Sequence, residues 1–228
     1  SELLCKELLI GVTDFFRDPT SWEALRTTVL PDLVLRAARR PEPTFRAWVA
    51  GCSTGEEAYT LGMLLQESMA TLPPGTRPRV QILATDLSAD AIDVARRGIY
   101  PASITSQVSP MRLRQFFVRE GNGTYRVAKP LRDMVIFARH DLLTDAPFIR
   151  LDLLTCRNVL IYFTAALQAR ILPLFHYALL PGGCLMLGNA ETVNRFDAAL
   201  PAIDAKLRLY RRSAEALPNI AGMTAGAP

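Results

Sequence analysis

Apolar runs of strand length recur along this chain, and a helix-forming stretch follows most of them. The runs are "TFRAWVA" (44–50), "VQILATD" (80–86), "MVIFARHD" (134–141), "LDLLTCRN" (151–158) and "PGGCLMLG" (181–188). Each is close to continuously apolar. Strands of that kind are buried on both faces, which requires helices above and below a parallel sheet. The intervening sequence supplies them. Helices are expected from about Thr54 to Ala70, over "SADAIDVARRG" with Ser88 as N-cap and Gly98 as stop, and from about Thr164 to Leu180. "KLRLYRR" (206–212) closes the ordered part. A length of 228 residues, 50% of them hydrophobic, suits one α/β domain with additions and a large core. The predicted fold is α/β: a Rossmann-like, mostly parallel, doubly wound sheet.

Two segments break the rhythm. Residues 1–40 are expected to be helical throughout, with a break at "DPTS" (18–21) and another at Pro31. Residues 101–131 combine a short helix, capped by Ser109, with a turn at "EGNGT" between short extended pieces, and read as an inserted β subdomain. The domain reading is therefore a helical segment over 1–40, a main domain over 41–212 that holds the insertion, and a flexible tail or linker over 213–228. The chain has no initiator Met and "SELLCKELLIG" has no basic head, so a piece cut from a longer protein is expected rather than a signal peptide.

Composition narrows the partners. The longest apolar candidate, "ILPLFHYALLPGGCLMLG", is broken by Pro173, His176 and Pro181, so no membrane insertion is expected. Cys5, Cys52, Cys156 and Cys184 lie far apart without a CxxC pair, and His140 and His176 are the only histidines. No metal site is expected. Reduced, buried thiols and a cytoplasmic location are. A net charge of +4, carried by scattered arginine doublets, gives no nucleic-acid signature and a mild preference for an acidic partner.

In an open α/β sheet, ligands bind beyond the carboxyl ends of the strands. "GCSTGEE", "TDLS", "RHDLL" and "CRNVLIY" fall at such ends. Gly51 and Gly55 permit a tight turn and close approach to a ligand. Glu56 and Glu57 at the helix head argue against a phosphate, which would compete for the same N–H groups. An acidic loop suits a cation instead. Asp86 ends the second strand, where a carboxylate commonly accepts from two ribose hydroxyls. An adenosine carrying a positive group fits this set, and S-adenosylmethionine has both a sulfonium and an ammonium. A surface Asp beside a capped helix is the plainer reading, and the spacing alone leaves both open.

The motifs in order decide. "GVTDFFRDP", "WVAGCSTGEEAYTLGMLL", "ILATDLS", "VARRGIYP", "FARHDLL" and "LDLLTCRNVLIYF" together resemble the CheR-type chemotaxis methyltransferases over roughly residues 9 to 212. "GVTDFFRDP" and "LPLFHYALLPGG" most resemble copies in fusions that also carry methylesterase or sensor domains. The resemblance implies a class I S-adenosylmethionine-dependent methyltransferase fold. It also implies methyl transfer to glutamate side chains on chemoreceptor cytoplasmic helices, with S-adenosylhomocysteine as product. By position it implies that Thr13 and Arg17 reach the cofactor, Glu57 takes the methionine ammonium, and Asp86 takes the ribose. Asp141 and Leu142 would line the adenine, Asn158 and Val159 would close the pocket, and Arg17 and Tyr162 would sit at methyl transfer. Three departures stand out: Gly11 where the family usually has Asn, Asp141 in place of a commoner Asn, and a start close to "FFRD" without the helical domain that precedes it in the family. A non-catalytic cofactor-binding or docking module of a multidomain signalling protein is the competing reading.

The chemistry supports these roles. A glutamate side chain, with an ordinary pKa of ~4.3, is already a carboxylate nucleophile at neutral pH and needs no general base. An arginine can hold it by a two-pronged contact. Pairing of Arg17 with Asp18 or Asp14, and a core role for Tyr162, are the plainer alternatives; Phe15 and Phe16 are expected in the core. Arg112, Arg114, Arg119 and Arg126 would give the insertion a positive face toward an acidic receptor. Its short "REGNGTY" turn leads to the expectation that it does not bind a receptor-tail pentapeptide tether. Other domains of a parent fusion are further candidate partners.

Overall fold

In a computed structural model, residues 13–193 and 196–214 are described. Strands β1 (Thr44–Ala50), β2 (Arg79–Asp86), β6 (Val135–Arg139), β7 (Leu151–Cys156), β8 (Leu179–Leu187), β9 (Ala202–Asp204) and β10 (Leu209–Arg211) form one sheet in the order β6-β2-β1-β7-β8-β10-β9. The first five run parallel, and β10 is antiparallel to both its neighbours. Register aligns the parallel strands at one rim: Ala50 lies beside Thr85, Asp86 beside Arg139, Val49 beside Thr155, and Cys156 beside Leu187. Strand order reverses between β1 and β7, which opens a crevice at that rim.

The continuous apolar runs follow from burial on both faces. Along β1, Phe45, Ala47 and Val49 join one core cluster, with Leu33 and Leu61 from the helices. Trp48 and Ala50 join the other, with Leu172 and Phe175. The helices are α1 (Pro19–Ala24), α2 (Leu30–Ala38), α3 (Glu56–Met69), α4 (Ala89–Arg97), α5 (Pro110–Phe116), α6 (Lys129–Arg132) and α7 (Ala165–Ala178). Ser88 caps α4 by accepting from the Ala91 N–H at 3.2 Å, and Gly98 ends it with φ 59°. Cys52, Cys156 and Cys184 are buried free thiols; Cys5 and Gly11 lie outside the described residues.

The amino-terminal reading needs correction. Residues 13–18 are turns rather than helix, and "DPTS" starts a helix instead of breaking one, because Pro19 sits at its first position, where a missing N–H costs nothing. At the expected second break, the helix widens into a π turn over Leu25–Val29 before Pro31, whose ring nitrogen cannot donate. The "KLRLYRR" strand is also shorter than expected, and β9, an edge strand, lies in front of it.

Within 101–131, β4 (Phe117–Arg119) and β5 (Tyr125–Val127) pair with β3 (Ile99–Tyr100) as a small antiparallel sheet in the order β3-β5-β4. The Arg112 guanidinium donates to both carboxylate oxygens of Glu67, at 2.7 and 2.8 Å, fastening the insertion to α3. Arg126 pairs with Glu120. Two of the four arginines expected to form a positive face are thus held by carboxylates.

One buried ion pair anchors the opposite end of the sheet. The Asp152 carboxylate, 2% exposed, accepts from Arg40 and from the Arg46 N–H at 2.9 Å. Removing one partner of such a pair leaves the others without an acceptor. Asp152→Ala is expected to cost about 3 kcal/mol in urea unfolding, whereas a surface carboxylate such as Asp90 should change stability by less than about 0.5 kcal/mol.

Candidate active site

The loop after β1 is set by its backbone. Gly51, Ser53 and Gly55 have φ of 77°, 47° and 99°, and the Gly51 and Cys52 N–H groups both donate to the Thr85 carbonyl, at 2.7 and 2.8 Å. A Cβ on Gly51 would lie 2.3 Å from Val159 Cγ2, so glycine is required by conformation and by space. The Asp86 carboxylate accepts from the Ser53 N–H at 2.8 Å and the Ser88 N–H at 2.9 Å. Those bonds fix its position and leave acceptor capacity, since an ionised carboxylate has about four lone-pair sites.

Glu57 lies in the first turn of α3 with its side chain 13% exposed. Its Oε1 accepts from Thr155 Oγ1 at 2.6 Å and its Oε2 faces Arg157 Nη1 at 3.3 Å. Burial pushes the Glu57 carboxyl up, while Arg157 and Thr155 oppose that rise. Glu56, beside it, is lifted by burial to about 7, although Thr54 donates to it.

Residues 157–162 follow β7 and form the opposite wall. Asn158 has φ 59° and leads into the 3-10 turn Leu160–Tyr162. Tyr162 is 49% exposed, and its N–H donates to the Val159 carbonyl at 3.2 Å. Arg157 turns the other way: its Nη2 donates to the Arg17 carbonyl at 2.9 Å and to Asp18 Oδ2 at 2.8 Å. Its guanidinium lies 5.1 Å from the Trp22 ring centre. Asp18 accepts from Arg157, and Asp14 accepts from Gln107.

The amino-terminal turn docks through the insertion and α3. The Phe15 N–H donates to Gln107 Oε1 at 3.0 Å, and the Phe16 N–H to Thr60 Oγ1 at 3.2 Å. Phe15 is buried edge-on against Tyr100 and Phe117, and Phe16 lies under Arg112. Thr13 is half-buried and Arg17 exposed. Asp141 and Leu142 lie in the turn after β6. There the Leu143 N–H donates to Asp141 Oδ1 at 2.8 Å, and the His140 N–H ties the turn to the Asp86 carbonyl at 3.0 Å.

Sequence reasoning passed over Arg157 and Glu191. Glu191, after β8, is 4% exposed. Its carboxylate accepts from the N–H groups of Asn158 (3.0 Å), Val159 (2.8 Å), Leu160 (2.7 Å) and Gly188 (2.6 Å). The available signal was position alone: "GNAET" follows the carboxyl end of a further parallel strand.

A family model described as CheR methyltransferase, SAM binding domain, matches residues 11–208, SAM being S-adenosylmethionine. The chain belongs to this family. A chemotaxis protein methyltransferase of Listeria monocytogenes is 38% identical over 198 residues, which cover 86% of this chain and 71% of that protein. Chemotaxis protein methyltransferase 1 of Pseudomonas aeruginosa is 36% identical, covering 85% and 70%. An uncharacterized 104.1 kDa protein of Rhodobacter capsulatus is 41% identical over 91% of this chain, which spans 21% of that larger protein. This CheR domain therefore has the class I methyltransferase fold and binds S-adenosylmethionine. Its residues fit that cofactor: Gly51 leaves no side chain in the loop beside Val159, and the buried Glu57 carboxylate would gain from a ligand ammonium.

The close approach at Gly51 gives a direct test. Gly51→Ala in this CheR domain should weaken cofactor binding at least about tenfold by calorimetry, because the loop or Val159 must move. Adding Val159→Ala removes the clashing methyls and should recover part of the stability lost. A remainder of about 1 kcal/mol from the positive φ should persist in thermal melts.

Proposed function

We propose that this CheR domain transfers a methyl group from S-adenosylmethionine to glutamate side chains on the cytoplasmic helices of chemoreceptors. The observation that carries the reading is one hydrogen-bonded chain. The buried Glu57 is joined through Arg157 to the backbone of the exposed Arg17, the two residues to which this reading gives the cofactor ammonium and the methyl acceptor. The family match and the chemotaxis relatives support the substrate class.

In this reading Asp86 accepts from the ribose hydroxyls, Glu57 from the methionine ammonium, and Thr13 and Arg17 approach from the amino-terminal turn. Asp141 and Leu142 would line the adenine, and Asn158 and Val159 would close the pocket. When bound, S-adenosylmethionine supplies an electrophilic methyl on a cationic sulfur. Arg17 orients the incoming carboxylate, which is already ionised at neutral pH, so no side chain has to remove a proton. Tyr162, half in water at the end of its 3-10 turn, orients the acceptor from the other wall. Alignment and exclusion of water then provide most of the acceleration.

The partners follow from the same reading. Arg114 and Arg119 of the insertion meet an acidic receptor surface. The 120–124 turn closes tightly, with the Glu120 N–H donating to the Thr124 carbonyl at 2.8 Å. That turn offers little backbone for a peptide tether, so a receptor-tail pentapeptide is not a ligand. Neighbouring domains of a larger protein are further partners, in line with the size of the Rhodobacter relative.

Two substitutions separate binding from chemistry. Asp86→Ala should weaken S-adenosylmethionine by about ten- to a hundredfold in calorimetry, the loss of hydrogen bonds to a charged acceptor. Unchanged affinity in the folded variant would remove the ribose assignment. Arg17→Ala should lower turnover at saturating cofactor at least about tenfold while changing cofactor affinity much less. The measurement is methylation of a receptor fragment, and a loss confined to cofactor affinity would refute the acceptor role.

A further inference from the structure

Arg157 occupies a position that the roles above leave unexplained. Its side chain is 1% exposed and faces two carboxylates that belong to different parts of the chain, Glu57 on α3 and Asp18 before α1. Nη1 faces Glu57 Oε2 at 3.3 Å, while Nη2 donates to Asp18 Oδ2 at 2.8 Å and to the Arg17 carbonyl at 2.9 Å. Trp22 covers its face at 5.1 Å. A planar guanidinium can reach three acceptors at fixed angles, whereas an ammonium is a point charge on a flexible stem.

We propose that Arg157 is the positioning residue of the methyl-transfer site, holding Glu57 as a charged acceptor for the cofactor ammonium and fixing the Arg17–Asp18 turn for the methyl acceptor. This deepens the proposed function and rests on its cofactor assignment. The groups facing Glu57 come from three further elements: Thr155, Cys156 and Arg157 from β7 and its end, Glu191 from the loop after β8, and Cys52 from the loop after β1. Arg157 is the cation among these. The negative charge of Glu191 pushes the Glu57 carboxyl up, in the same direction as burial.

The sign of the pH effect follows. Without Arg157, the Thr155 hydroxyl is left, among these groups, to oppose the rise in the Glu57 pKa. The charged form, and with it the contact to a ligand ammonium, is then present above that raised pKa and lost as pH falls through it. In the parent, Arg157 opposes that rise, so the charged form persists to lower pH than it does without Arg157.

The test measures binding of S-adenosylhomocysteine, which retains the ammonium and the ribose, by calorimetry between about pH 5.5 and 8. Proteins compared are the parent, Arg157→Gln, Arg157→Lys, and Arg157→Gln combined with Glu57→Gln, each checked for folding by circular dichroism. Toward the acid end Arg157→Gln should lose about tenfold or more affinity beyond any loss in the parent. The double variant should bind weakly with no such slope. Arg157→Lys should keep the parent's pH profile, yet lower kcat about tenfold with little change in the cofactor KM, because one ammonium cannot hold all three acceptors. A folded Arg157→Gln with the parent's pH profile would overturn the proposal, as would Arg157→Lys with the parent's kcat. Should Arg157→Gln fail to fold, the lysine variant decides by the same kcat criterion. A parent that binds no S-adenosylhomocysteine at any pH would overturn the cofactor reading as well.

Discussion

Four backbone N–H groups converge on the buried Glu191 carboxylate, and the rim of the sheet depends on that convergence. Three of them belong to consecutive residues, Asn158 to Leu160, which no helix or strand could satisfy in that arrangement. A backbone donor buried without a partner costs about 1–3 kcal/mol, so the loop takes this shape only while the carboxylate is there. Gly188 is the steric condition: a Cβ on it would lie 2.7 Å from the Asn158 nitrogen and 2.8 Å from Glu191 Oε2. Once the loop is fixed, Val159 stands against Gly51 and the Tyr162 turn is placed. One carboxylate therefore couples the ends of β1, β7 and β8.

The strain in the backbone falls in the same places. Non-glycine residues with positive φ include Phe16, Asp18, Ser53 and Asn158, all in the segments that build the site. Such conformations cost about 1–3 kcal/mol each and persist only where surroundings over-determine them. Here the surroundings can be named. Thr60 holds Phe16, Arg157 holds Asp18, Asp86 holds Ser53, and Glu191 holds Asn158. Each restraint comes from a different element, so the site's geometry is a property of the assembled sheet.

That dependence explains what could be read from the sequence. Parallel strands were legible because burial on both faces leaves a continuous apolar run, as in "TFRAWVA". The Ser88 cap and the Gly98 stop were legible because both act within one helical turn. Residues 13–18 were misread as helix, since their turns are held by Gln107 and Thr60, which lie 92 and 44 residues along the chain from their partners. The β9–β10 pair was blurred because three-residue strands ending in Asp204 and Arg211 have no apolar period to display. Arg157 bonds Arg17 across 140 residues, and Glu191 bonds Val159 across 32. Side chains whose partners are that distant carry no local pattern.

The electrostatic character of the site comes last, because it is a sum over these placements. The Cys52 thiol is pushed well up, first by burial and then by the charges of Asp86 and Glu57. Cys156 is pushed up by burial and then by Glu191 and Glu57, and Tyr100 by burial and then by Glu56. Three weak acids on three elements thus feel one negative field, and each is held in its protonated form. A phosphate entering that field would meet carboxylates at the very helix head whose N–H groups it needs, and would be repelled. A cation meets the opposite situation, since it relieves the mutual repulsion that burial magnifies. The helix that a nucleotide-phosphate site would leave bare is here headed by Glu56 and Glu57. The same sheet rim that elsewhere grips a phosphate is thereby turned toward a ligand whose adenosine carries positive charge.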